Sequence, residues 1–209
     1  MKIGICASGP SSELMLPQVD YLIGVDRGAS TLIAQGYTPN EMIGDFDSVT
    51  EEEFIQLTKL IPKYERVSSL KDETDTDLAL MRAVQLAPSE VLVTCVTGGR
   101  LDHQEAAFRS VQRFQLEHPA ISFRIMNKQN VIQYLLPGTH SLLSDEFKYV
   151  SFFALSETIQ EVSLKGVKYE TDKVRMEQTS TLFTSNEIIE DKASISFSNG
   201  ICLMIKSKD

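Results

Sequence analysis

The stretch that decides the fold is residues 90–126, EVLVTCVTGGRLDHQEAAFRSVQRFQLEHPAISFRIM. A short apolar run leads into a glycine turn, and Ala107, Val111 and Phe114 are then spaced for one buried face of a helix. A second apolar run follows Pro119. Because a strand, a helix and a strand in this order form a crossover unit with parallel strands, we expect a mostly parallel sheet.

The same alternation of strands and helices extends back from this unit to the beginning of the chain. Thr50, with Glu53 three residues later, forms a capping box that predicts a helix ending at Pro62, and a second helix is expected from residue 75 to before Pro88. Further apolar runs with strand character are KIGIC at 2–6, YLIGVD at 21–26 and EMIGD at 41–45. The pattern predicts an α/β domain over residues 1–126.

After residue 127 the pattern changes to short strand-like runs separated by Gly, Asn, Asp and Ser. These runs include VIQYLL, YVSFFAL, ASISF and ICLMI, and none is followed by a convincing helix. PGT at 137–139 and SNG at 198–200 are typical of hairpin turns. We therefore expect a second, all-β, sandwich-like domain over residues 127–209.

Composition limits the classes of function. The chain has 209 residues, 42% of them hydrophobic, and a net charge of -9 that argues against nucleic-acid binding. The first residues do not form a secretory signal, and no run approaches the roughly 18 apolar residues of a membrane span, so a soluble cytoplasmic protein is expected. Cys6, Cys95 and Cys202 have no metal-site spacing and are expected to be buried thiols.

Aspartates collect where strands end and helices begin. In an open α/β sheet this edge is where ligands bind. Since neighbouring carboxylates repel one another, such a cluster needs a cation or a bound proton. The aspartates in these positions are Asp26, Asp45, Asp47, Asp72, Asp75, Asp77 and Asp102.

Mg²⁺ is the cation that this chemistry favours, because it prefers oxygen ligands and is commonly held by carboxylates and substrate phosphates. Asp45 and Asp47, two residues apart in an extended segment, would face the same metal, with Phe46 turned into the packing. Asp72 and Asp75 can approach from a helix start, although any single aspartate there is also explained as a helix cap. On this reading Asp47→Asn cuts turnover by orders of magnitude, and near-native activity would refute it.

A phosphate ligand also needs positive or N–H partners. The sequence offers Arg27, Lys71, Arg100 and the backbone of TGGR, which includes Gly99 and is also explained as a simple strand-to-helix turn. No GxxxxGK[ST] motif occurs, which argues against a P-loop kinase. His103 is open to two interpretations, as a general base or as a local hydrogen-bonding residue.

Four motifs in order, GVDRGAS, IGDFDSV, KDETDTDLAL and VTGGRLDHQEAAF, closely resemble those of bacterial thiamine pyrophosphokinases. The likeness continues through VSLKGVKYE, SNE and ASISFSNGICLMI. The resemblance implies transfer of the pyrophosphoryl group of ATP to the hydroxyl of thiamine with Mg²⁺, giving AMP and thiamine diphosphate. It also implies a homodimer, with nucleotide on the α/β domain and thiamine in a cleft completed by the partner's β domain.

The resemblance also assigns roles to residues. The acidic constellation comprises Asp26, Asp45, Asp47, Asp75 and Asp102. Asp45, Asp47 and Asp75 are the expected metal ligands, and either Asp75 or Asp102 is the expected acceptor of the alcohol proton. Substrate and nucleotide contacts are expected from Arg27, Lys71, Asp72, Thr74, Gly99 and Arg100, and thiamine contacts from Tyr169, Thr181, Ser185 and Asn186.

One position departs from the family pattern. The chain reads TLFTSNE where bacterial relatives usually resemble SLGISNE, so Phe183 replaces a glycine. The ring has three possible effects, which are to stack on thiamine, to close the pocket or to shift a turn.

Two other functions remain as alternatives. DFDSV resembles the motif of haloacid dehalogenase-type phosphatases, in which Asp45 would be the nucleophile, but that motif normally ends the first long strand. The other alternative is a nucleotide-sensing or metal-sensing module without turnover. AMP that forms only when thiamine is present would separate the kinase from both.

Overall fold

The computed structural model describes residues 1–68 and 72–209, and the chain divides into two compact units, Met1–Lys128 and Gln129–Asp209. The first unit is a parallel sheet with crossover helices. Its strands are β1 (Lys2–Cys6), β2 (Tyr21–Val25), β3 (Glu41–Gly44), β4 (Tyr64–Arg66), β5 (Glu90–Thr94) and β6 (Ser122–Met126). Its helices are α1 (Arg27–Ala34), α2 (Glu51–Leu60), α3 (Asp75–Gln85) and α4 (Leu101–Glu117), with a short 3₁₀ turn at Ser11–Glu13.

The strands of this unit lie in the order β6-β5-β1-β2-β3-β4, and every neighbouring pair is parallel. The chain runs outward from β1 through β2 and β3 to β4, then returns to the other side of β1 with β5 and β6. The α/β prediction is confirmed. The sequence pattern missed β4, because this edge strand has three exposed residues and no buried face to create periodicity.

The helices begin where the capping signals predict. Thr50 and Glu53 form the reciprocal hydrogen bonds of a capping box at the start of α2, and Thr74 and Asp77 form a second one at α3. Along α4, the side chains of Ala107, Val111 and Phe114 are all buried, as expected. These contacts fix the helix starts and therefore the side chains next to them.

A buried carboxylate ties the N-terminal ends of the strands together. Glu41, the first residue of β3, accepts hydrogen bonds from Lys63 Nζ at 2.7 Å, Arg82 Nε at 3.0 Å and the Tyr21 hydroxyl at 2.9 Å. Burial alone would raise the pKa of Glu41, but these hydrogen bonds outweigh it and hold the pKa below its usual value. This network lies at the opposite end of β3 from Gly44, where the chain leaves the strand.

The second unit is a β-sandwich. Its strands are β7 (Asn130–Leu135), β8 (Gly138–Leu142), β9 (Tyr149–Ala154), β10 (Thr158–Lys165), β11 (Thr171–Glu177), β12 (Asn186–Glu187), β13 (Ala193–Phe197) and β14 (Cys202–Ser207). One sheet has the order β12-β9-β14-β7 and the other β11-β10-β13-β8, with antiparallel pairing throughout. Side chains from both sheets, including Phe152, Met204, Ile159 and Ile195, form one apolar core. The all-β prediction is confirmed.

The two expected hairpins of this unit are wrong. β7 and β8, which flank residues 137–139, belong to different sheets, and so do β13 and β14, which flank residues 198–200. Gly138 (φ 138°) and Gly200 (φ 80°) take backbone conformations that allow these sharp corners. Alternation of side chains identifies a buried face but does not say which strand is the partner. The sequence pattern therefore predicts a hairpin where the chain in fact passes from one sheet to the other.

Within residues 1–68 and 72–209, no helix has the length and apolar character needed to cross a membrane.

Candidate active site

Asp26 follows β2 in a tightly constrained backbone. Its φ of 46° is unusual for a residue other than glycine, and its N–H donates to the carbonyl oxygen of Ile43 at 3.0 Å. Gly28, two residues later, lies so close to β1 that a Cβ there would be 2.1 Å from the Cys6 oxygen. Asp26 Oδ1 accepts the Phe46 N–H at 3.2 Å, so both backbone and side chain are held against the end of β3.

Asp45 lies in the irregular segment after β3 and Asp47 lies in a turn, which corrects the expectation of an extended segment. β3 ends at Gly44, and Phe46 has a left-handed φ of 57° while its ring is 2% exposed and packs on Phe54. Burial of the ring was expected, but the positive φ destroys the simple alternation of side chains. Asp47 is exposed, and its N–H donates to Asp45 Oδ1 at 3.0 Å.

Asp75 is the first residue of α3, and Thr74 is the residue that caps the helix. The Thr74 hydroxyl accepts the Asp77 N–H at 3.1 Å, and Asp77 Oδ2 accepts the Thr74 N–H at 3.1 Å. Neither Asp72 nor Asp75 therefore acts as the N-cap. Asp77 also binds Arg113 at 2.8 Å, which gives it a structural role.

Three carboxylates meet at this edge of the sheet, and we call Asp26, Asp45 and Asp75 the acidic triad. Each offers one oxygen, and the three oxygens lie within 4.8 Å of one another. Burial, followed by the charge of Asp75, raises the pKa of Asp26 to about 7. Without a cation, the triad therefore holds a proton near neutral pH.

Gly44 gives the Asp26 carboxylate the room it needs. A Cβ at Gly44 would lie 1.8 Å from Asp26 Oδ1 and 2.6 Å from Asp26 Cγ. No side-chain atom fits at that distance, so any other residue would displace the carboxylate or the strand end.

Asp102 lies outside the triad, at the start of α4. Its two oxygens bind Arg100, at 3.1 Å from Nε and 2.6 Å from Nη2. This bidentate pair lowers the pKa of Asp102 to about 2. The exposed His103 donates its backbone N–H to Asp102 Oδ1 at 3.0 Å, which is a local contact.

The remaining residues expected around the phosphates are placed as follows. Arg27 is exposed and follows Asp26 directly, and Asp72 and Thr74 are exposed at the start of α3. Gly99 is exposed, and a Cβ there would be 3.3 Å from Pro10. Lys71 lies outside the described residues.

A buried polar chain at the same edge was missed by the sequence analysis. Thr97 Oγ1 donates to Glu13 Oε2 at 3.1 Å and accepts from Asn127 Nδ2 at 2.8 Å. Thr97 and Asn127 are buried. Asn127 follows β6 directly, so it occupies the same kind of position after a strand as the aspartates. The search for charged residues did not include it, because an amide carries no charge.

In the second unit, Asn186 holds the backbone of Tyr169. Its Oδ1 accepts the Tyr169 N–H at 3.0 Å, and its Nδ2 donates to the Tyr169 oxygen at 2.9 Å. The side chain of Asn186 is buried, whereas Tyr169 is 63% exposed. Asn186 therefore fixes the position from which the Tyr169 ring projects.

Ser185 and Thr181, which precede Asn186 in the chain, are exposed. Ser185 has a φ of 57° and donates its N–H to Ser151 Oγ at 2.9 Å, while the Thr181 oxygen accepts the Thr184 hydroxyl at 2.8 Å. Phe183 is 7% exposed and belongs to the apolar core of the sandwich. Of the three effects considered for Phe183, stacking on a ligand is therefore excluded by burial of the ring in that core.

Comparisons with known proteins agree with this architecture. The family model described as thiamin pyrophosphokinase, catalytic domain, matches residues 13–123, and the model described as its vitamin B1 binding domain matches residues 139–202. A thiamine pyrophosphokinase of Bacillus subtilis (strain 168) is 37% identical over 215 residues, covering 99% of each chain.

Solved structures give the same result. The crystal structure of thiamine pyrophosphokinase from Bacillus subtilis superimposes with a TM-score of 0.92 at 36% identity, covering 100% of both chains. That of thiamin pyrophosphokinase from Geobacillus thermodenitrificans has a TM-score of 0.89 at 35% identity, covering 100% of this chain and 98% of the other. The chain belongs to the thiamine pyrophosphokinase family.

Proposed function

We propose that this chain transfers the pyrophosphoryl group of ATP to the hydroxyl oxygen of thiamine, giving AMP and thiamine diphosphate. Membership of the family supports the reaction. The acidic triad supports the location of the reaction, because its three carboxylate oxygens lie within 4.8 Å of one another. Such a cluster is repulsive unless it holds a cation or a proton, and a metal-assisted phosphate reaction needs that cation.

The donor set of the triad fits Mg²⁺. Its ligands are oxygens, and Asp45 and Asp75 are partly exposed, which leaves an approach for phosphate oxygens. We assign Asp26, Asp45 and Asp75 as the residues that would hold the ion, with the exposed Asp47 at the rim of the site. When bound, Mg²⁺ would neutralise negative charge on the ATP phosphates.

Arginines supply the positive charge that the chain itself brings to the phosphates. Arg100 uses two N–H groups to bind Asp102, and three of its five donors remain for a phosphate oxygen. Asp102 orients this guanidinium. We assign Arg27, which is exposed next to Asp26, and Lys71 to the same charge-stabilising role.

The proton of the thiamine hydroxyl needs an acceptor. An effective general base has a pKa near the working pH, and Arg100 holds the pKa of Asp102 at about 2. Asp102 is therefore a poor acceptor, and we assign the second carboxylate oxygen of Asp75, the one that would not bind the ion, to accept this proton. The acceptor would take the proton as the hydroxyl oxygen attacks the β-phosphorus, and AMP leaves.

We further propose that the second unit binds thiamine and forms a homodimer. Its match to a vitamin B1 binding domain supports the first role. Tyr169, Thr181 and Ser185 lie on an exposed surface, with Asn186 holding Tyr169 in place. The exposed apolar side chains Leu182 and Ile189 near this surface favour burial against a second subunit. The mass of the enzyme in solution, measured by light scattering, tests the dimer.

We propose a cytoplasmic location as well. ATP is the phosphoryl donor of the proposed reaction, and all three cysteines are free thiols, which suits a reducing compartment. Fractionation of cells that express the protein, with enzyme activity as the readout, tests this assignment.

The decisive experiment is chromatography of products after incubation with ATP, Mg²⁺ and thiamine. We expect AMP and thiamine diphosphate in equal amounts, and no AMP when thiamine is omitted. Inorganic phosphate release with a phosphoaspartate on Asp45 would instead support the phosphatase alternative. Ligand binding with no product of any kind would support the sensing module.

A further inference from the structure

Two cysteines that the proposed reaction does not use lie on neighbouring strands. Cys6 is the last residue of β1, and Cys95 directly follows β5. The strands are parallel, with Cys6 opposite Thr94, so Cys95 is one residue further along. A strand spacing of about 4.8 Å and a rise of about 3.3 Å per residue place the two Cα atoms about 6 Å apart. Disulfides span Cα separations of about 4.4 to 6.8 Å.

The two side chains also share one buried cluster. A regular strand would send Cys95 to the opposite face from Thr94, but Cys95 has a left-handed φ of 58° that breaks this alternation. Both cysteines are buried, at 0% and 1% exposure, and belong to one apolar cluster with Leu22 and Leu32. The Cys6 thiol donates to the Ala7 oxygen at 3.7 Å, and each of the two thiols perturbs the pKa of the other.

The interaction between them makes the two thiols unequal. The neighbouring Cys95, together with burial, raises the pKa of Cys6, whereas the neighbouring Cys6 lowers the pKa of Cys95. Cys95 is therefore the better nucleophile of the pair, and Cys6 is the neutral thiol next to it. Cys202 provides a contrast, because it is buried in the second unit and burial raises its pKa to about 12.

We propose that Cys6 and Cys95 are a peroxide-sensitive dithiol that closes to an intramolecular disulfide. The Cys95 thiolate attacks one oxygen of hydrogen peroxide, breaking the O–O bond to give a sulfenic acid and hydroxide, which takes up a proton to form water. The Cys6 sulfur then attacks the Cys95 sulfur, the S–OH bond breaks, and the hydroxyl leaves with the Cys6 proton as a second water. Two thiols are oxidised while one peroxide is reduced to two waters. Since both thiols are buried, peroxide reaches them through transient local opening of the structure.

Closing the disulfide disturbs the backbone that supports the acidic triad. Gly28 packs directly on the Cys6 oxygen and lies two residues from Asp26, while the Cys95 oxygen accepts the Gly9 N–H at 2.8 Å. Because the Cα atoms already lie at a disulfide spacing, the adjustment is local: the sulfurs must approach to about 2.05 Å, which turns the peptide groups of Cys6 and Cys95 that contact Gly28 and Gly9. The disulfide form therefore turns over more slowly, a consequence that rests on the proposed function.

The test is a thiol count on the full-length enzyme treated with hydrogen peroxide. Because peroxide also oxidises methionine, total mass is not sufficient, and free thiols are alkylated in denaturant before and after reduction and then mapped by peptide mass spectrometry. We expect the count to fall from three to one, with Cys6 and Cys95 in one linked peptide and both released by dithiothreitol. The matched control Cys202→Ser should form the same link, and Cys6→Ser should not.

The chemical result is read without any activity assay, so it stands apart from the proposed function. Three free thiols after treatment, conversion of both cysteines to sulfonic acids, or a link through Cys202 would overturn the proposal. The wild-type peptide map decides the point even where Cys6→Ser fails to fold. For the effect on turnover, we expect at least a fivefold loss that dithiothreitol reverses, and equal turnover of linked and reduced enzyme would overturn that part.

Discussion

Replacing Asp26 with asparagine should stabilise the metal-free enzyme while abolishing its activity. Asparagine keeps the shape of the side chain, tolerates the φ of 46°, and its oxygen still accepts the Phe46 N–H. Its amide group can donate to Asp45 and Asp75, whose oxygens lie within 4.8 Å of that of Asp26. The substitution removes only the ability to carry a negative charge.

The size of the effect follows from the pKa of Asp26. Folding raises it from 3.8 to about 7, roughly three units at about 1.4 kcal/mol each, or about 4 kcal/mol. Since the folded value is the higher one, the contribution of Asp26 to wild-type stability is fully present below about pH 4 and is lost as the pH rises through 7. At pH 8 the asparagine variant avoids the whole free-energy cost, about 4 kcal/mol, of having this carboxylate ionised or protonated against its ordinary pKa in the folded protein. At pH 5 this cost is less than half as large.

Thermal unfolding without divalent cations measures this difference. For a chain of this length, about 4 kcal/mol corresponds to a rise in Tm of roughly 8 °C or more at pH 8. The increase should be less than half as large at pH 5. Added Mg²⁺ should raise the Tm of the wild type and have a much smaller effect on Asp26→Asn. Turnover of the variant should fall by at least a factor of one hundred.

An equal or lower Tm for Asp26→Asn at pH 8 would refute the reasoning, because it would mean that the triad carries no repulsive charge when metal is absent. A stabilisation of the same size at pH 5 and pH 8 would also refute it. That result would point to a packing effect independent of titration.

Four further predictions test separate parts of the molecule. Asp45→Asn should lower turnover by at least a hundredfold and Asp47→Asn by less, measured as AMP formation under saturating substrates. Gly44→Ala should displace the carboxylate behind it, reducing turnover at least tenfold and raising the Mg²⁺ concentration needed for half-maximal rate. Glu41→Gln should cost about 2 to 3 kcal/mol in urea unfolding at pH 7, with unchanged kcat, because it weakens a buried pairing with two cations. Since the pKa of this carboxylate is lowered by folding, its contribution in the wild type should disappear as the solution is acidified. Tyr169→Ala should raise the KM for thiamine at least fivefold and leave that for ATP unchanged.

Much of the fold could be predicted because the signals were local. The apolar runs of β1, β2, β3, β5 and β6 and the capping box at Thr50 depend on neighbouring residues. The partners of β7 and β13 could not be predicted, because the two corners at residues 137–139 and 198–200 look like hairpin turns from sequence alone. Which sheet a strand joins is a property of the whole sandwich.

The candidate site was only partly predictable for a similar reason. The positions after strands drew attention to Asp26, Asp45 and Asp75, whose oxygens lie close together, and equally to Asp102, which lies apart from them and pairs with Arg100. Sequence spacing suggested that Asp45 and Asp47 share one direction, and the left-handed φ of Phe46 changes that. Backbone conformations of this kind are set by packing of the ring rather than by the order of residues.

The strand order has a consequence for how the protein is synthesised. β1 lies between β2 and β5, yet the chain emerges with β2, β3 and all three carboxylates of the acidic triad well before β5. During that interval the central strand has one unpaired edge, and its apolar side chains, including Ile3 and Ile5, are incompletely covered. A chain released from a ribosome that stalls before Val91 would contain only β1 to β4 of this sheet and would be prone to aggregate. It would already contain the three carboxylates of the acidic triad, which repel one another. The centre of this sheet is completed only when β5 emerges, with β6 still to follow, and the growing chain needs protection until then.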